Sequence, residues 1–282
     1  MLKRVLVPVE LSSVDARVLA FADGLARYGV RDVVVLHGAD LVGVERPVAE
    51  RQEGELRERL EKFSHSATAT HVIPVLDSGN PADVILRNAK SRDVELIVLA
   101  TRAKSVLDEF ALGSVSESLA RRSPVPLLLL PFRPLAESTA EEARDMGQHV
   151  FDYVHYPTDF STFAEHALDF LKRLGPDRLG RVLLTHGIES KSTRPDIRDE
   201  AERSSLRILE AMRAELAELG IESSAQLLRP PVVDSLLNLT EQKGCTAIAV
   251  GSAGHSMGEE LLIGSVSLSV LRRSTVPVLL SR

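Results

Sequence analysis

The string GSVSLSVLRRSTVPVLLS at 264–281 nearly repeats GSVSESLARRSPVPLLLL at 113–130. Both keep Gly-Ser-Val-Ser, the Arg-Arg-Ser stop and a Val-Pro ahead of an apolar run, in one register 151 residues apart. Two earlier pairs, VLVPVELSS (5–13) with VHYPTDFST (154–162) and VLHGA (35–39) with LTHGI (184–188), are 149 apart, so a small insertion accounts for the change. A period this long exceeds any solenoid unit and suits a whole domain. The chain therefore reads as two tandem copies, 1–132 and 149–282. The segment RPLAESTAEEARDMGQ (133–148) is expected as a linker, in part helical.

Each copy alternates short apolar runs with amphipathic stretches, the pattern of βαβ units. Strands are expected near 3–9, 32–37, 70–76, 95–101 and 125–130, with helices near 14–28, 46–64, 81–91 and 114–122. The second copy repeats the scheme with strands near 149–155, 181–186, 223–228, 246–250 and 276–280. With 44% hydrophobic but only 4% aromatic residues and no Trp, the cores must be built from Val, Leu, Ile and Ala, which favours helix-covered parallel sheet. The fold class expected is α/β: two tandem doubly wound five-stranded parallel-sheet domains, Rossmann-like. The last strand of each copy should lie at a sheet edge that demands cover, so the copies are expected to pair within the chain, and a homodimer is expected as well.

Several classes of function are disfavoured. The net charge of −6 is spread along the chain, with no basic stripe for nucleic acid. The N-terminus lacks a signal-peptide pattern and no apolar run approaches the ~20 residues of a membrane helix. The lone Cys245 reads as a small buried hydrophobe, and a cytoplasmic address follows. The eight histidines have no metal-ligand spacing. His37 and His186 recur at matching strand ends and read as satisfied structural residues. The Arg pair before each final strand reads as a helix C-terminal charge preference. No Walker-type phosphate loop exists, and no catalytic Ser/His/Asp set can be assigned.

One loop in the second copy stands out. After its fourth strand the chain reads VGSAGHSMGEELLIGSVS, with Gly251, Gly254, Gly264 and Ser265. Gly251 is expected to turn the chain off the strand and Gly254 to let backbone approach a ligand. Gly264 and Ser265 open a helix whose N–H groups suit a phosphate. That spacing, with HYPTDFS at the end of the copy's first strand, resembles the universal stress protein family over essentially the whole chain.

The resemblance implies an adenine nucleotide alpha hydrolase-like domain that binds ATP or a related adenine nucleotide without necessarily turning it over. Carried over by position, Pro157, Thr158 and Asp159 would border the adenosine and Gly187 would offer backbone to the adenine. Gly251, Gly254, Gly264, Ser265 and Val266 would wrap ribose and phosphates. Asp159 also reads as a helix N-cap residue. The first copy departs from this pattern: Ala100, Ala103 and Glu10 stand where two glycines and the Asp are expected, so nucleotide binding there should be weak or absent. Its SVSE reads as a capping box of Ser114 with Glu117. Glu259 and Glu260 occupy the second loop where the family often carries basic residues, and turned inward they would favour AMP over ATP.

The function expected is a cytoplasmic stress-response protein holding ATP or AMP in its second domain as a regulatory ligand, with Mg2+ accompanying ATP. A slow ATPase at the same site and a nucleotide-free interaction scaffold are the alternatives.

Overall fold

The apolar runs that the chain writes twice become β-strands. In a computed structural model that describes residues 2–39, 46–65, 67–101, 112–188, 195–252 and 263–282, the chain divides into units of residues 1–149 and 150–282.

The first unit runs β1 (Arg4–Val9), α1 (Ser13–Gly24) with a 3-10 turn at Leu25–Tyr28, β2 (Asp32–Ala39), α2 (Arg46–Ser64), β3 (His71–Ser78), α3 (Pro81–Ser91), β4 (Leu96–Ala100), α4 (Ser114–Arg122) and β5 (Leu127–Leu130). Its strands pair in parallel in the order β3-β2-β1-β4-β5. Both faces of the central strands are covered, which is why Val5, Leu6 and Val7 or Leu96, Ile97 and Val98 are consecutive, apolar and fully buried. Local chemistry sets the helix starts. Ser12 and Asp15 close a reciprocal capping box on α1, and Asn80 Oδ1 accepts from Ala82 N at 3.1 Å ahead of a Pro at the first helical position.

The segment expected as a linker is helical throughout most of its length. Residues Phe132–Glu137 form α5 and Ala140–His149 form α6, and α6 packs on α1. The docking uses backbone proximity, so no apolar stripe announces it in the sequence. A side chain on Gly24 would strike the Arg144 carbonyl, and one on Gly147 would strike that of Phe21. Beside this contact the fully buried Asp23 carboxylate accepts from the backbone N–H groups of Thr68, Ala69 and Thr70 at 3.1, 2.9 and 2.9 Å. It also pairs with Arg144 Nε at 3.0 Å. Burial alone would raise the pKa of Asp23; the hydrogen bonds and the guanidinium outweigh it and hold the value below the usual one.

The second unit runs β6 (Tyr153–Pro157), α7 (Thr162–Leu174), β7 (Arg181–Gly187), α8 (Pro195–Glu218), β8 (Glu222–Leu228), α9 (Val232–Lys243), β9 (Ala247–Gly251), α10 (Ser265–Arg273) and β10 (Val278–Ser281). The order β10-β9-β6-β7-β8 is again all parallel. The strand expected from 149 begins instead at Tyr153, because α6 runs to His149 and a turn follows. Cys245 is buried, as its apolar neighbours imply. No helix among the described residues is long and apolar enough to cross a membrane.

The Arg pairs have a use beyond helix-end charge. Arg122 reaches Asp83 on α3, and 151 residues later Arg273 reaches Asp234 on α9, both at 2.5 Å. The repeat thus carries one ion pair that ties neighbouring helices in each unit.

Candidate functional site

Parallel strands bring all their carboxyl ends to one edge. In the second unit β6 pairs with β7 on one side and β9 on the other, so the crossovers diverge there and leave a crevice, the usual ligand position of an open α/β sheet. Pro157, Gly187 and Gly251 end these three strands, and Gly264, Ser265 and Val266 begin α10 at the same edge. Gly254, Glu259 and Glu260 lie outside the described residues, as does Ala103 in the first unit.

The β6–α7 turn is tightly braced. Thr158 N donates to Thr185 O at 2.8 Å, and Thr158 Oγ1 accepts from Phe160 N at 2.9 Å. Phe160 has φ +61°, costly for a residue with a Cβ. Ser161, not Asp159, is the α7 N-cap, accepting from Ala164 N at 3.3 Å. Asp159 braces that cap: its Oδ1 accepts from Ser161 N at 3.1 Å and Ser161 Oγ at 2.6 Å. The His186 ring donates from Nδ1 to Thr158 O at 2.8 Å and stacks on Phe160 with centroids 4.3 Å apart. In the first unit His37 donates to Val9 O at 2.8 Å, so both histidines pin the end of the first strand, the structural role expected of them.

One of the glycines does different work from that expected. Gly251 does not turn the chain; it is the buried last residue of β9, and a Cβ there would lie 2.5 Å from Phe163 O and 2.6 Å from Phe163 C. Its lack of a side chain lets the first turn of α7 close on the sheet. Gly187 is covered by Val232, whose Cγ1 would be 2.5 Å from an added Cβ. Gly264 is the N-cap of α10, with no side-chain cap, and its N–H donates to Ser252 O at 2.9 Å.

Three serines meet beside it. Ser265 is exposed at the first helical position. Ser267 Oγ donates to Gly251 O at 2.7 Å, tying the helix start to the strand end. Ser252 Oγ is buried and has no hydrogen-bond partner among the described residues. The sequence reading missed Ser252 and Ser267. Ser267 was traceable, since the repeat keeps the second serine of GSVS. Ser252 was not, because Thr101 holds its place in the first copy.

Behind the strand ends lies a buried polar triad that was also missed. Thr240 Oγ1 donates its one proton to Leu236 O at 2.9 Å, so it accepts from His155 Nδ1 at 2.7 Å. His155 Nε2 then accepts from Thr185 Oγ1 at 2.8 Å. The ring is neutral, and burial pushes its pKa down to about 3.

At the corresponding edge the first unit opens a cavity of about 460 Å³ where Ala100 and Glu10 replace Gly251 and Asp159. The capping box expected at Ser114 is not formed. Gly113 is the N-cap, which puts Glu117 one residue past the box spacing, and Glu117 pairs instead with Arg121 at 2.8 Å. Burial raises the Asp15 pKa here, partly offset by hydrogen bonds from Ser12 and by nearby His37.

A doubly wound parallel α/β unit, present twice, with its strand carboxyl ends gathered at a switch point, defines the Rossmann-like class of open-sheet folds. The model of the Universal stress protein family matches residues 1–131 and 151–282, and the chain belongs to that family. A solved universal stress protein of Archaeoglobus fulgidus is similar over 99% of this chain and 98% of its own, with a TM-score of 0.72 at 25% identity. A Pseudomonas aeruginosa protein of 14% identity shares the fold, with a TM-score of 0.63 over 99% of this chain and 92% of its own. A universal stress protein of Bacillus subtilis is 37% identical over 87 residues, which are 31% of this chain and 59% of that protein. One of Methanocaldococcus jannaschii is 23% identical over 152 residues, 46% of this chain and 94% of that protein.

Proposed function

We propose that the second unit binds an adenine nucleotide, ATP or AMP, in the crevice between β6 and β9, as a regulatory ligand in the cytoplasm. The observation that carries the reading is the pairing of an uncapped helix start at Gly264 with the buried, partnerless hydroxyl of Ser252. First-turn amides favour an anion, and a buried hydroxyl without a partner costs free energy that a ligand oxygen would recover. The family resemblance supplies the identity of the ligand, with Pro157, Thr158, Asp159 and Gly187 toward the adenosine and Gly251, Gly254, Gly264, Ser265 and Val266 toward ribose and phosphate. Among the described residues no group of three or more His, Cys, Asp or Glu could hold a metal ion, so Mg2+ would enter on the phosphates of ATP.

Calorimetric titration of the full chain with ATP and AMP tests this. We expect one site, weakened about tenfold in Ser252→Ala, the size of one lost hydrogen bond, and abolished in Gly254→Val. Unchanged affinity in both variants overturns the assignment. A phosphate assay after long incubation with ATP separates a held ligand from slow hydrolysis.

A further inference from the structure

We propose that the open edge of β8 is a docking strand, which takes an extended segment of a partner polypeptide, apolar at alternate positions, as an added strand of the second unit's sheet. The reading is independent of nucleotide binding in that unit.

β3 and β8 each stand at one end of their unit's strand order, and β3 is guarded. Pro74 sits mid-strand, yet β3 keeps an unbroken register with β2 from His71 to Ser78. Position 74 therefore turns its N–H side away from β2, where a proline ring costs no ladder bond and blocks a further strand. Pro74 lies opposite Val35, and Ala225 lies opposite Leu184, the residue 149 places on. Ala225 accordingly turns its N–H away from β7. Backbone direction alternates along a strand, so Ser223 and Leu227 do the same. Leu228, of the other set, points its carbonyl inward and accepts from Ile188 N at 3.2 Å. Among the described residues β8 pairs with β7 alone. It thus presents the N–H and C=O groups of Ser223, Ala225 and Leu227 in a row, on a strand with neither Pro nor Lys.

Such a row is complementary to another strand backbone. Ser224 and Gln226 are exposed while Ser223, Ala225 and Leu227 are half-buried, so the latter set faces α8, which packs on β8. That helix overhangs the edge with an apolar group. Its Glu215 reaches Lys172 on α7, and α7 packs over β9 and β10, the strands farthest from β8 in the unit. Leu206 is nine residues from Glu215, about 180° round the helix, so it projects away from α7 and over the open edge, where it is exposed. An added strand brings every second side chain to that face, which selects apolar residues at alternate positions. A second copy of the chain fits less well. Edge to edge, two seven-residue strands share about 23 Å by 10 Å, roughly 230 Å² per copy, against about 800 Å² in a stable dimer. A flexible segment is not held to its edge and can lay a side chain on Leu206 as well.

The test uses the full chain and a fluorescein-tagged nonapeptide that alternates valine and threonine between a terminal lysine and a terminal glutamate, with binding read by anisotropy. N-methylation of one alternate set of its amides, the valines or the threonines, should abolish binding, and methylation of the other set should leave it, since only every second amide faces β8. Ala225→Pro installs the first unit's guard where no bond to β7 is lost; it should abolish binding in a chain that still folds, as its urea midpoint shows. Two measurements stand whatever the fate of that variant. Leu206→Ser, on the surface of α8, should weaken binding about threefold, and amide hydrogen exchange at Ser223, Ala225 and Leu227 should slow at least tenfold in the complex. No binding, equal binding of the two methylated peptides, unchanged exchange at those three amides, full binding by Leu206→Ser, or full binding by a folded Ala225→Pro chain each overturns the proposal. So does a dimer in sedimentation that Ala225→Pro dissociates, which would give the edge to a second copy.

Discussion

Where the second unit buries His155, Thr185 and Thr240, the first buries Leu6, Leu36 and Ala89 at the corresponding positions. The strand end differs in the same sense. Thr101 turns its hydroxyl onto Leu130 O at 3.2 Å, while Ser252, in its place 151 residues on, has a hydroxyl without a partner among the described residues. The strand order, the paired histidines at strand ends and the helix-tying Arg–Asp pairs are common to both units. The chemistry beneath and around the strand ends has diverged.

The sharpest structural asymmetry lies away from the crevice, and breaking it should have the largest effect. Asp23 is fully buried and gathers three backbone N–H groups and Arg144. Its counterpart Lys172 makes a partly exposed pair with Glu215. Asp23→Ala strands those donors and should cost the first unit about 4 kcal/mol, whereas Lys172→Ala should cost the second less than about 1 kcal/mol. Urea unfolding measures both. Because the Asp23 pKa is depressed, its contribution is whole above the ordinary carboxyl value and is lost as pH falls below it. Equal losses in the two variants would remove the claim that α6 is held by this carboxylate.

The next contrast is between Gly251 and Ala100. An added Cβ on Gly251 would press into the Phe163 carbonyl at 2.5 Å, so Gly251→Ala should cost about 3 kcal/mol through overpacking. The reverse change, Ala100→Gly, should cost about 1 kcal/mol, the ordinary penalty of glycine in a strand. A mild effect of Gly251→Ala in urea unfolding, with nucleotide binding lost, would restore a ligand-facing role to that glycine.

This pair also shows how much of the molecule was legible beforehand. The doubly wound order followed from apolar runs and their spacing, since a strand buried on both faces has little choice of residue. The bounds of α2, α3 and α4 matched for the same reason, with Asn80 and Pro81 marking a start that the structure keeps. The glycine pattern located the crevice but did not explain Gly251, because contact between a strand end and the backbone of Phe163 is invisible along the chain. Val232 over Gly187, and the docking of α6 at Gly24 and Gly147, were hidden similarly. His155 sat unread inside an apolar run: its partners are 30 and 85 residues distant, and a hydrogen bond across strands leaves no local spacing.

The smallest expected effect bears most directly on the comparison. His155→Leu installs the first unit's residue in the second, but it leaves the Thr185 hydroxyl buried without an acceptor and the Thr240 oxygen without the ring N–H. That change should cost about 2 kcal/mol. Adding Thr185→Leu and Thr240→Ala completes the transplant, and most of the loss should return, because replacing all the partners of a polar cluster by apolar groups of suitable shape is nearly neutral. The pH dependence checks that the buried ring is neutral. With the His155 pKa lowered to about 3, the wild-type unit holds this contribution in full above the ordinary imidazole value of about 6.5 and loses it as pH falls toward 3, since the unfolded chain takes the proton first. Both variants should lose that slope between pH 6.5 and 4, as read from urea midpoints. If the triple variant recovers stability yet binds ATP as the parent does, the triad is only a polar way of filling the core. If stability recovers and binding weakens, the polar triad, joined to the β6–α7 turn where Thr185 O receives Thr158 N, shapes that turn for the proposed nucleotide.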